Sequence, residues 1–315
     1  MRLGHVCCPM DLRQLEIIRA IAESGSFTAA GEKLHVSQSA ISRQILLLED
    51  ELGEPVFHRI GRRIRITPAG ESLLQLSHRV FRDLQDTVSA ISDKRESLRG
   101  SIGLVGGMTV CLYVFPTLLA EVRRIHPNLD MRVTVGSTQR SIALLRSGAG
   151  DLGLLTLPID AEDLVSVPLL QEELLLVTYP THPLAARKRI VAADLDKQPF
   201  VLFETGSITR RLVEEFFARE RIAPPVIMET ENVEIIKAMV RSGLGISIIP
   251  WQAADADVAT GKLFCSRIAG ASLVRQTGWL YPKMGRLPRA VTEVMRIFET
   301  IRPQLEAAVR PTRMG

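Results

Sequence analysis

One short segment carries four polar side chains at spacings that place them on one helix face: Gln38, Ser39, Ser42 and Arg43. Such side chains can read DNA, because a glutamine amide pairs with adenine, a guanidinium pairs with guanine, and hydroxyls reach bases or phosphates. The acidic run 49–51 follows on the same segment and would repel phosphates. We therefore expect only the N-terminal half of this helix to enter a major groove.

The surrounding pattern predicts the helices that hold this face. A first helix is predicted from its apolar stripe, which comprises Leu12, Leu15, Ile18 and Ala22. Ser24–Gly25 should end it, and Ser26 and Ser37 are predicted N-caps of a second and a third helix. The third helix should bury Ala40, Ile41, Ile45, Leu48 and Leu52. Two short helices joined at 35–36 are typical of a helix-turn-helix.

A basic alternating segment follows directly. Between Phe57 and Thr67, apolar residues alternate with arginines around Gly61, which predicts a two-stranded hairpin, or wing, with Arg62 and Arg63 at its tip. These arginines suit a DNA backbone or minor groove. A merely solvated charged loop is the alternative, and the position beside the predicted helix-turn-helix favours phosphate binding.

A long amphipathic helix is predicted after Pro68. Its apolar residues recur every three or four positions: Leu73, Leu76, Val80, Leu84, Val88 and Ile91. This stripe is too long for a small helix-turn-helix domain to cover, so a second copy of the helix is the favoured partner. An ordinary connecting helix packed on its own chain is the alternative.

Beyond the boundary at Leu98 to Ser101, short apolar runs alternate with helical stretches, which predicts α/β sheets with helices on their faces. The strand candidates are 102–105, 131–135, 152–155, 174–178, 200–202, 246–249 and 278–281, with helical segments at 112–126 and 141–146. Ligands bind such sheets at the carboxyl ends of strands, beside helix N-termini.

Composition and missing motifs narrow the function classes. A chain of 315 residues with 46% hydrophobic and 23% charged residues suggests two or three ordinary globular domains. The sequence lacks a membrane-length apolar run and a signal-peptide pattern, so the cytoplasm is the expected location. The sequence shows no metal-ligand spacing and no catalytic motif, which argues against an enzyme, a metal site or a cofactor. The absent export signal argues against a solute-transport component.

The cysteines and histidines predict little chemistry. Cys7, Cys8, Cys111 and Cys265 show no disulfide or zinc pattern. Redox sensing at Cys111 is conceivable if a helix N-terminus lowers its pKa, but a small packed side chain is the favoured interpretation. His126 and His182 each precede proline and are more typical of turns than of ligands or bases.

Residues Met10 to Leu98 resemble the N-terminal part of a LysR-type transcriptional regulator. The resemblance is carried by Leu15, the segments 24–30, 37–45 and 67–70, and by Leu34, Leu48–Glu49, Leu52–Gly53, Phe57 and Arg59. Residues 101–308 resemble the effector domain of the same family through Phe115–Pro116, His126–Pro127, the segments 150–154 and 243–250, and 182–184. Ser39 stands where the family often has proline. Members often begin near the Met10 segment, so a translation start at Met10 is a further hypothesis.

The resemblance implies a fold of the α/β class with three parts. These are a winged helix-turn-helix over 1–67, a linker and dimerisation helix over 68–98, and an effector-binding domain over 101–308 whose two α/β subdomains are similar to periplasmic solute-binding proteins. It also implies a homodimer, commonly a homotetramer, on pseudo-palindromic double-stranded promoter DNA. Effector binding would then change DNA bending and the contact with RNA polymerase.

Site residues follow from the residues and the resemblance together. Residues expected to bind DNA are Ser26, Thr28, Gln38, Ser39, Ser42, Arg43, Arg62 and Arg63. Residues expected to bind the effector are Met108, Thr109, Ser137, Thr138, Thr156, Phe203, Thr205 and Asn232, with Thr109 favoured and with Glu204, Ser207 and Val233 nearby. Hydroxyls and helix-terminal amides suit a small anion such as a carboxylate. Helix capping or turn formation is at least an equal alternative for each of these residues. Glu204 in the cleft would favour a ligand with a donor or cationic group, and a Glu204 side chain that points outward is the alternative.

Overall fold

The structure, a computed structural model, describes residues 10–60, 63–91, 98–309 and 311. The described chain forms two compact units, whose main division falls between Arg95 and Glu96. Within the described residues, no helix is both long and apolar enough to cross a membrane.

The N-terminal unit contains the predicted helix-turn-helix and wing. Its elements are α1 (Leu12–Ser24), α2 (Phe27–Leu34), α3 (Gln38–Leu52), β1 (Phe57–Ile60), β2 (Arg63–Ile66) and α4 (Pro68–Ile91). The predicted caps are confirmed, because the Ser26 hydroxyl accepts from the Ala29 amide at 3.4 Å and the Ser37 hydroxyl from the Ala40 amide at 3.2 Å. Gly25 ends α1 at φ 66°, a left-handed conformation that glycine adopts without strain.

The predicted apolar stripes of α1 and α3 are partly wrong. Leu12 is 49% exposed, Leu52 is 37% exposed, and Ala40 is exposed as well. Helix α1 instead buries Leu15, Ile17, Ile18, Ala20 and Ile21, because α2 and α3 pack on one part of its surface and α4 on another. A helix packed on two sides needs a broader buried face than a single-stripe pattern allows. Both exposed leucines stand at helix ends, beyond that packing.

The C-terminal unit is the predicted α/β structure. It contains β3 (Gly100–Gly106), α5 (Met108–Tyr113), α6 (Phe115–Ile125), β4 (Leu129–Val135), α7 (Thr138–Ser147), β5 (Leu152–Leu157), β6 (Leu164–Thr178), β7 (Phe200–Phe203), α8 (Ile208–Glu220), β8 (Val226–Thr230), α9 (Val233–Arg241), β9 (Ser247–Pro250), α10 (Trp251–Ala259), β10 (Phe264–Ser266), β11 (Val274–Pro282) and α11 (Arg289–Ala308). Two short 3₁₀ helices lie at Pro183–Ala186 and Ala192–Asp194.

Two long strands connect the halves of this unit. The main sheet has the order β10-β6-β11-β5-β3-β4, with β9 also paired to β6, and β7 pairs with β8 separately. The first half of β6 runs antiparallel to β11, and its second half pairs with β9 and β10. Separate apolar cores pack against the two halves, one around Leu104, Leu154 and Phe298 and others around Phe200 and Ile249. The two-subdomain architecture is therefore confirmed.

The segment predicted as one helix over 112–126 is two helices. Helix α5 ends at Tyr113 and α6 begins at Phe115, with Val114 between them in a helical conformation. Pro116 in the first turn of α6 explains the break, because proline is favoured at a helix start and disrupts a helix interior.

Candidate functional site

The N-terminal half of α3 presents the predicted polar face. Gln38, Ser39 and Arg43 are exposed and Ser42 is half-buried. The Gln38 side-chain amide donates to the Ser42 hydroxyl at 3.4 Å, and the hydroxyls of Ser37 and Ser39 lie 3.0 Å apart. Three of the four side chains therefore stand in solvent with polar groups that can reach base edges.

The other predicted DNA contacts fall in three different settings. Ser26 is half-buried and occupied as a cap, whereas Thr28 is exposed on α2. Arg62 lies outside the described residues, and Arg63 belongs to β2 with its side chain not described. The wing does present His58 and Arg65, which are cross-strand partners and both exposed.

The acidic end of α3 has a structural role that the sequence did not indicate. The Glu49 carboxylate accepts from the backbone amides of Val56 at 2.7 Å and Phe57 at 3.1 Å. These bonds tie the end of α3 to the first strand of the wing. Glu49 therefore helps to position the recognition helix beside the hairpin.

The C-terminal unit contains a cavity of about 430 Å³ at the carboxyl ends of its strands. The lining comes from the segments after β3 and β4, the end of β5, the loop after β7 and one residue of β11. It includes the predicted residues Met108, Thr109, Ser137, Thr138, Thr156, Phe203, Glu204, Thr205 and Ser207, together with Gln139, Arg140, Thr209, Glu231 and Arg275. Seven of the effector residues expected from the sequence are thus brought together.

Asn232, the eighth, is not among the residues that line the cavity. Its side-chain oxygen accepts from the backbone amide of Glu234 at 2.9 Å and caps α9. Val233 is buried in the core behind it, and the preceding Glu231 reaches the cavity instead. Capping was the alternative that the sequence left open for such residues.

The loop that follows β7 is fixed by an ion-pair network. Buried Arg210 donates to the Phe203 carbonyl at 2.9 Å and pairs with Glu214 at 2.7 Å and Glu229 at 3.1 Å. Glu229 also accepts from the Thr205 hydroxyl at 3.0 Å. This hydrogen bond, assisted by Arg210, lowers the pKa of the Glu229 carboxyl. The Thr205 hydroxyl is therefore already engaged, and the Ser207 hydroxyl caps α8 by accepting from Arg210 N at 3.1 Å.

A buried arginine in the cavity wall was not predicted from the sequence. Arg275 of β11 is 3% exposed and pairs with Glu172 of β6, which is 1% exposed. The two residues are cross-strand partners in the register of β6 and β11. Neither residue falls in a strand predicted from the sequence, since those candidates begin at 174 and 278, and nothing local showed that the two segments are neighbours.

The two cysteines of the C-terminal unit are both shielded from solvent, Cys111 partly and Cys265 fully. Burial raises the pKa of the half-buried Cys111 thiol to about 11 and that of Cys265 to about 12. Burial therefore acts against the lowered pKa that redox sensing at Cys111 would require, since thiolates are the reactive form, and it agrees with the favoured interpretation of a packed side chain. Among the described residues, no group of three or more acidic, histidine or cysteine side chains could hold a metal.

His126 and His182 have structural roles. The His126 ring donates from Nε2 to Glu293 and accepts at Nδ1 from the Leu98 amide at 3.1 Å, beyond the end of α6. His182 accepts at Nδ1 from the Leu184 amide at 3.1 Å, and burial lowers its pKa.

A winged helix-turn-helix joined to a two-subdomain unit with a polar cavity defines a ligand-responsive DNA-binding regulator. Comparison with known families agrees. Residues 12–71 match the bacterial regulatory helix-turn-helix protein of the lysR family, and residues 95–301 match the LysR substrate binding domain. The chain belongs to the LysR family of transcriptional regulators.

Individual relatives support the assignment along most of the chain. The chain is 31% identical over 281 residues to the RuBisCO operon transcriptional regulator of Allochromatium vinosum, covering 89% of this chain and 93% of the relative. It is 34% identical to the regulator CbbR of Xanthobacter flavus, covering 85% and 80%. A full-length OxyR variant from Pseudomonas aeruginosa is similar in structure, with a TM-score of 0.75 and 25% identity over 97% of this chain and 98% of that chain.

Proposed function

We propose that the protein reads its operator with the N-terminal half of α3, and that the cavity of the C-terminal unit binds a small anionic effector. The observation that carries the proposal is the gathering of cavity-facing hydroxyls around a buried arginine, on the same chain as an exposed recognition face. The effector would alter subunit packing, DNA bending and contact with RNA polymerase. Binding rather than catalysis would be its activity, exerted on promoter DNA in the cytoplasm.

The reading of DNA would rest on a few exposed side chains. Gln38, Ser39 and Arg43 project from the first two turns of α3, and Arg65 with His58 extends the polar surface onto the wing. Arg62 and Arg63, which the sequence pattern predicts at the hairpin tip, would add backbone or minor-groove contacts. Ser42, Thr28 and Ser26 would reach phosphates or bases at the edge of the same surface.

Substitution of two arginines tests this division of roles. With an operator selected from a randomised duplex library, Arg43→Ala should weaken binding by about 1–3 kcal/mol and relax selectivity at one position, as loss of a base contact does. Arg65→Ala should weaken binding to all duplexes alike and reduce the salt slope by about 0.9, the value for one phosphate contact. Equal losses on selected and random DNA for Arg43→Ala would refute its base-reading role.

The effector site would use the ends of strands from both subdomains. Thr109 is 8% exposed in the first turn of α5. Thr138 begins α7, Ser137 precedes it, and both line the cavity together with Thr205 and Ser207. Hydroxyl and amide donors can bind a carboxylate while it remains ionised. Glu204 and Glu231 also line the cavity and would keep a second negative charge away from their part of it.

A thermal-shift screen tests the site. A panel of small carboxylates should include one that raises the melting temperature of the full chain, because a ligand that binds the folded form stabilises it. Thr109→Val should remove this shift while operator affinity is unchanged. Thr117→Val, on α6 outside the cavity lining, is the matched control and should respond as the unaltered chain does. A full response of Thr109→Val would remove Thr109 from the site.

A further inference from the structure

Two guanidinium groups line the cavity: that of Arg140 is exposed, whereas that of Arg275 is buried and divides its contacts between two protein groups. Arg275 donates from Nε to the Glu172 carboxylate and from Nη1 to the Thr209 hydroxyl at 3.1 Å. Arg275 and Thr209 both line the cavity, whereas Glu172 lies behind it. Arg275 is thus held from behind and from the side by the protein itself.

The third nitrogen of this guanidinium is not used. Nη2 of Arg275 is buried and has no hydrogen-bond acceptor among the residues that the structure describes. An unsatisfied buried donor destabilises a folded protein, and a charged one does so more strongly. Since Arg275 lines the cavity, an acceptor on a molecule bound there would satisfy this nitrogen.

The neighbouring groups share this preference for an acceptor. The first turn of α7 contributes Ser137 to Arg140 to the lining, and the start of α8 contributes Ile208 and Thr209. Both helix N-termini favour negative charge in front of them. Because a guanidinium can only donate, a ligand on Nη2 must present an acceptor, and a charged oxygen gives the strongest bond.

We infer that Arg275 is the anchoring residue of the effector site and that it binds one oxyanionic group of the ligand through Nη2. The inference rests on the proposed function of the cavity and specifies the chemistry of one contact in it. Glu172 offsets much of the arginine charge, so a single negative group suffices. Elsewhere in the lining, Glu204 and Glu231 favour hydrogen-bond donors on the remainder of the ligand.

Two variants separate anchoring from simple structural support. Arg275→Lys keeps a positive charge beside Glu172, but one ammonium cannot bond Glu172, Thr209 and a ligand in the geometry of the guanidinium. The double variant Glu172→Gln with Arg275→Gln removes both charges together and leaves no unpaired buried ion. The matched control is Arg267→Gln, which removes the arginine paired at 2.5 Å with Glu173, next to Glu172 in β6, and which lies outside the cavity lining.

The probes are acetate, succinate and inorganic phosphate, titrated into the full-length protein at constant pH and ionic strength. Melting is followed by the fluorescence of the buried Trp251 and Trp279. We expect a saturable stabilisation of the unaltered protein and of Arg267→Gln, with the carboxylate and phosphate arms identifying the preferred oxyanion. Arg275→Lys and the double variant should need about tenfold more of that probe or higher, the loss expected for a hydrogen bond to a charged group.

The outcomes distinguish the two proposals. One contrary result is that the double variant saturates at a probe concentration within twofold of that for the unaltered protein and has the same melting temperature in sodium chloride. That result would overturn the role of Arg275 and leave the cavity as an anion site. Absence of saturable stabilisation of the unaltered protein by every probe would contradict the small-anion site itself. Loss of the response in the double variant with operator affinity retained supports the anchor.

Discussion

At the start of α4, two backbone segments lie so close together that single residues tolerate little substitution. The Thr67 hydroxyl donates to the Pro55 carbonyl at 2.6 Å and accepts from the Gly70 amide at 3.0 Å. A Cβ atom on Gly70 would lie 2.2 Å from the Val56 carbonyl oxygen and 2.7 Å from Ile66 Cγ1. Since the first of these neighbours is backbone, the helix and the wing would have to separate.

Gly70→Ala should therefore destabilise the N-terminal unit by about 1–3 kcal/mol, the range for overpacking a close contact. Scanning calorimetry of the full chain and operator affinity measure the effect. Glu71→Ala, at the exposed neighbouring position of the same helix turn, should change stability by no more than about 0.5 kcal/mol. Equal melting of the two variants would show that the junction can relax.

The hydroxyl residues of the cavity could be predicted from the sequence, whereas its charge could not. Thr109, Ser137 and Thr156 each follow or end a short apolar run, so the rule for carboxyl ends of strands places them together. Arg275 and Glu172 are partners only because β6 and β11 are adjacent in a fixed register, 103 residues apart. Asn232 was expected in the cavity, but the local competition for the α9 cap places its side chain elsewhere.

At the scale of elements, the apolar patterns predict helices and strands that are buried on one face. They do not predict strands that form because a segment distant in the sequence pairs with them. The first half of β6 contains Pro168 and the charged pair Glu172–Glu173, so its sequence is not typical of a strand. This segment forms a strand because β11 pairs with it along its length, with a register shift between Thr277 and Gly278. Strand β8, exposed along most of its length and paired only with β7, carries no strong alternation of burial.

An ion pair within α11, between Glu293 and Arg296, is joined to the end of α6 by a hydrogen bond from His126, and its pH dependence can be measured. Glu293 accepts from Arg296 at 2.7 Å and from His126 Nε2 at 2.9 Å. The Arg296 guanidinium, together with His126, lowers the pKa of Glu293 from 4.5 to about 2. A carboxyl with a lowered pKa in the folded state stabilises it fully above its ordinary pKa and loses that effect as the pH falls toward the folded value.

Glu293→Gln should accordingly lower the melting temperature most above about pH 5, and the difference from the unaltered protein should shrink as the pH falls from 4.5 toward 2. Calorimetry across this range measures it. Glu121→Gln removes a pair of the same spacing, Glu121 with Arg124 at 2.7 Å, but one without a histidine partner. Its effect should be smaller at every pH. A pH-independent loss in Glu293→Gln would contradict the ion-pair explanation.

For the molecule as a whole, we propose that the long helix α4 links recognition of DNA to self-association. Its early turns pack on α1, where the Ser77 hydroxyl donates to the Leu15 carbonyl at 2.9 Å and Arg19 lies 4.6 Å from the Phe81 ring centre. Further along, Leu84 is 41% exposed and Val88 is 61% exposed. The apolar stripe thus continues beyond the part of the helix that the N-terminal unit covers, as expected of a surface that a second copy occupies.

Replacement of both residues by glutamate, Leu84→Glu with Val88→Glu, should shift the protein from an oligomer toward a monomer, because charges on a paired apolar seam are desolvated and repel their copies. Sedimentation velocity measures the shift. A monomer would contact one half-site, so affinity for the full operator should fall by at least about tenfold. The control Leu244→Glu with Met284→Glu adds the same two charges at exposed apolar positions of the C-terminal unit. Sedimentation of the α4 variant like that of the control would place the self-association surface elsewhere.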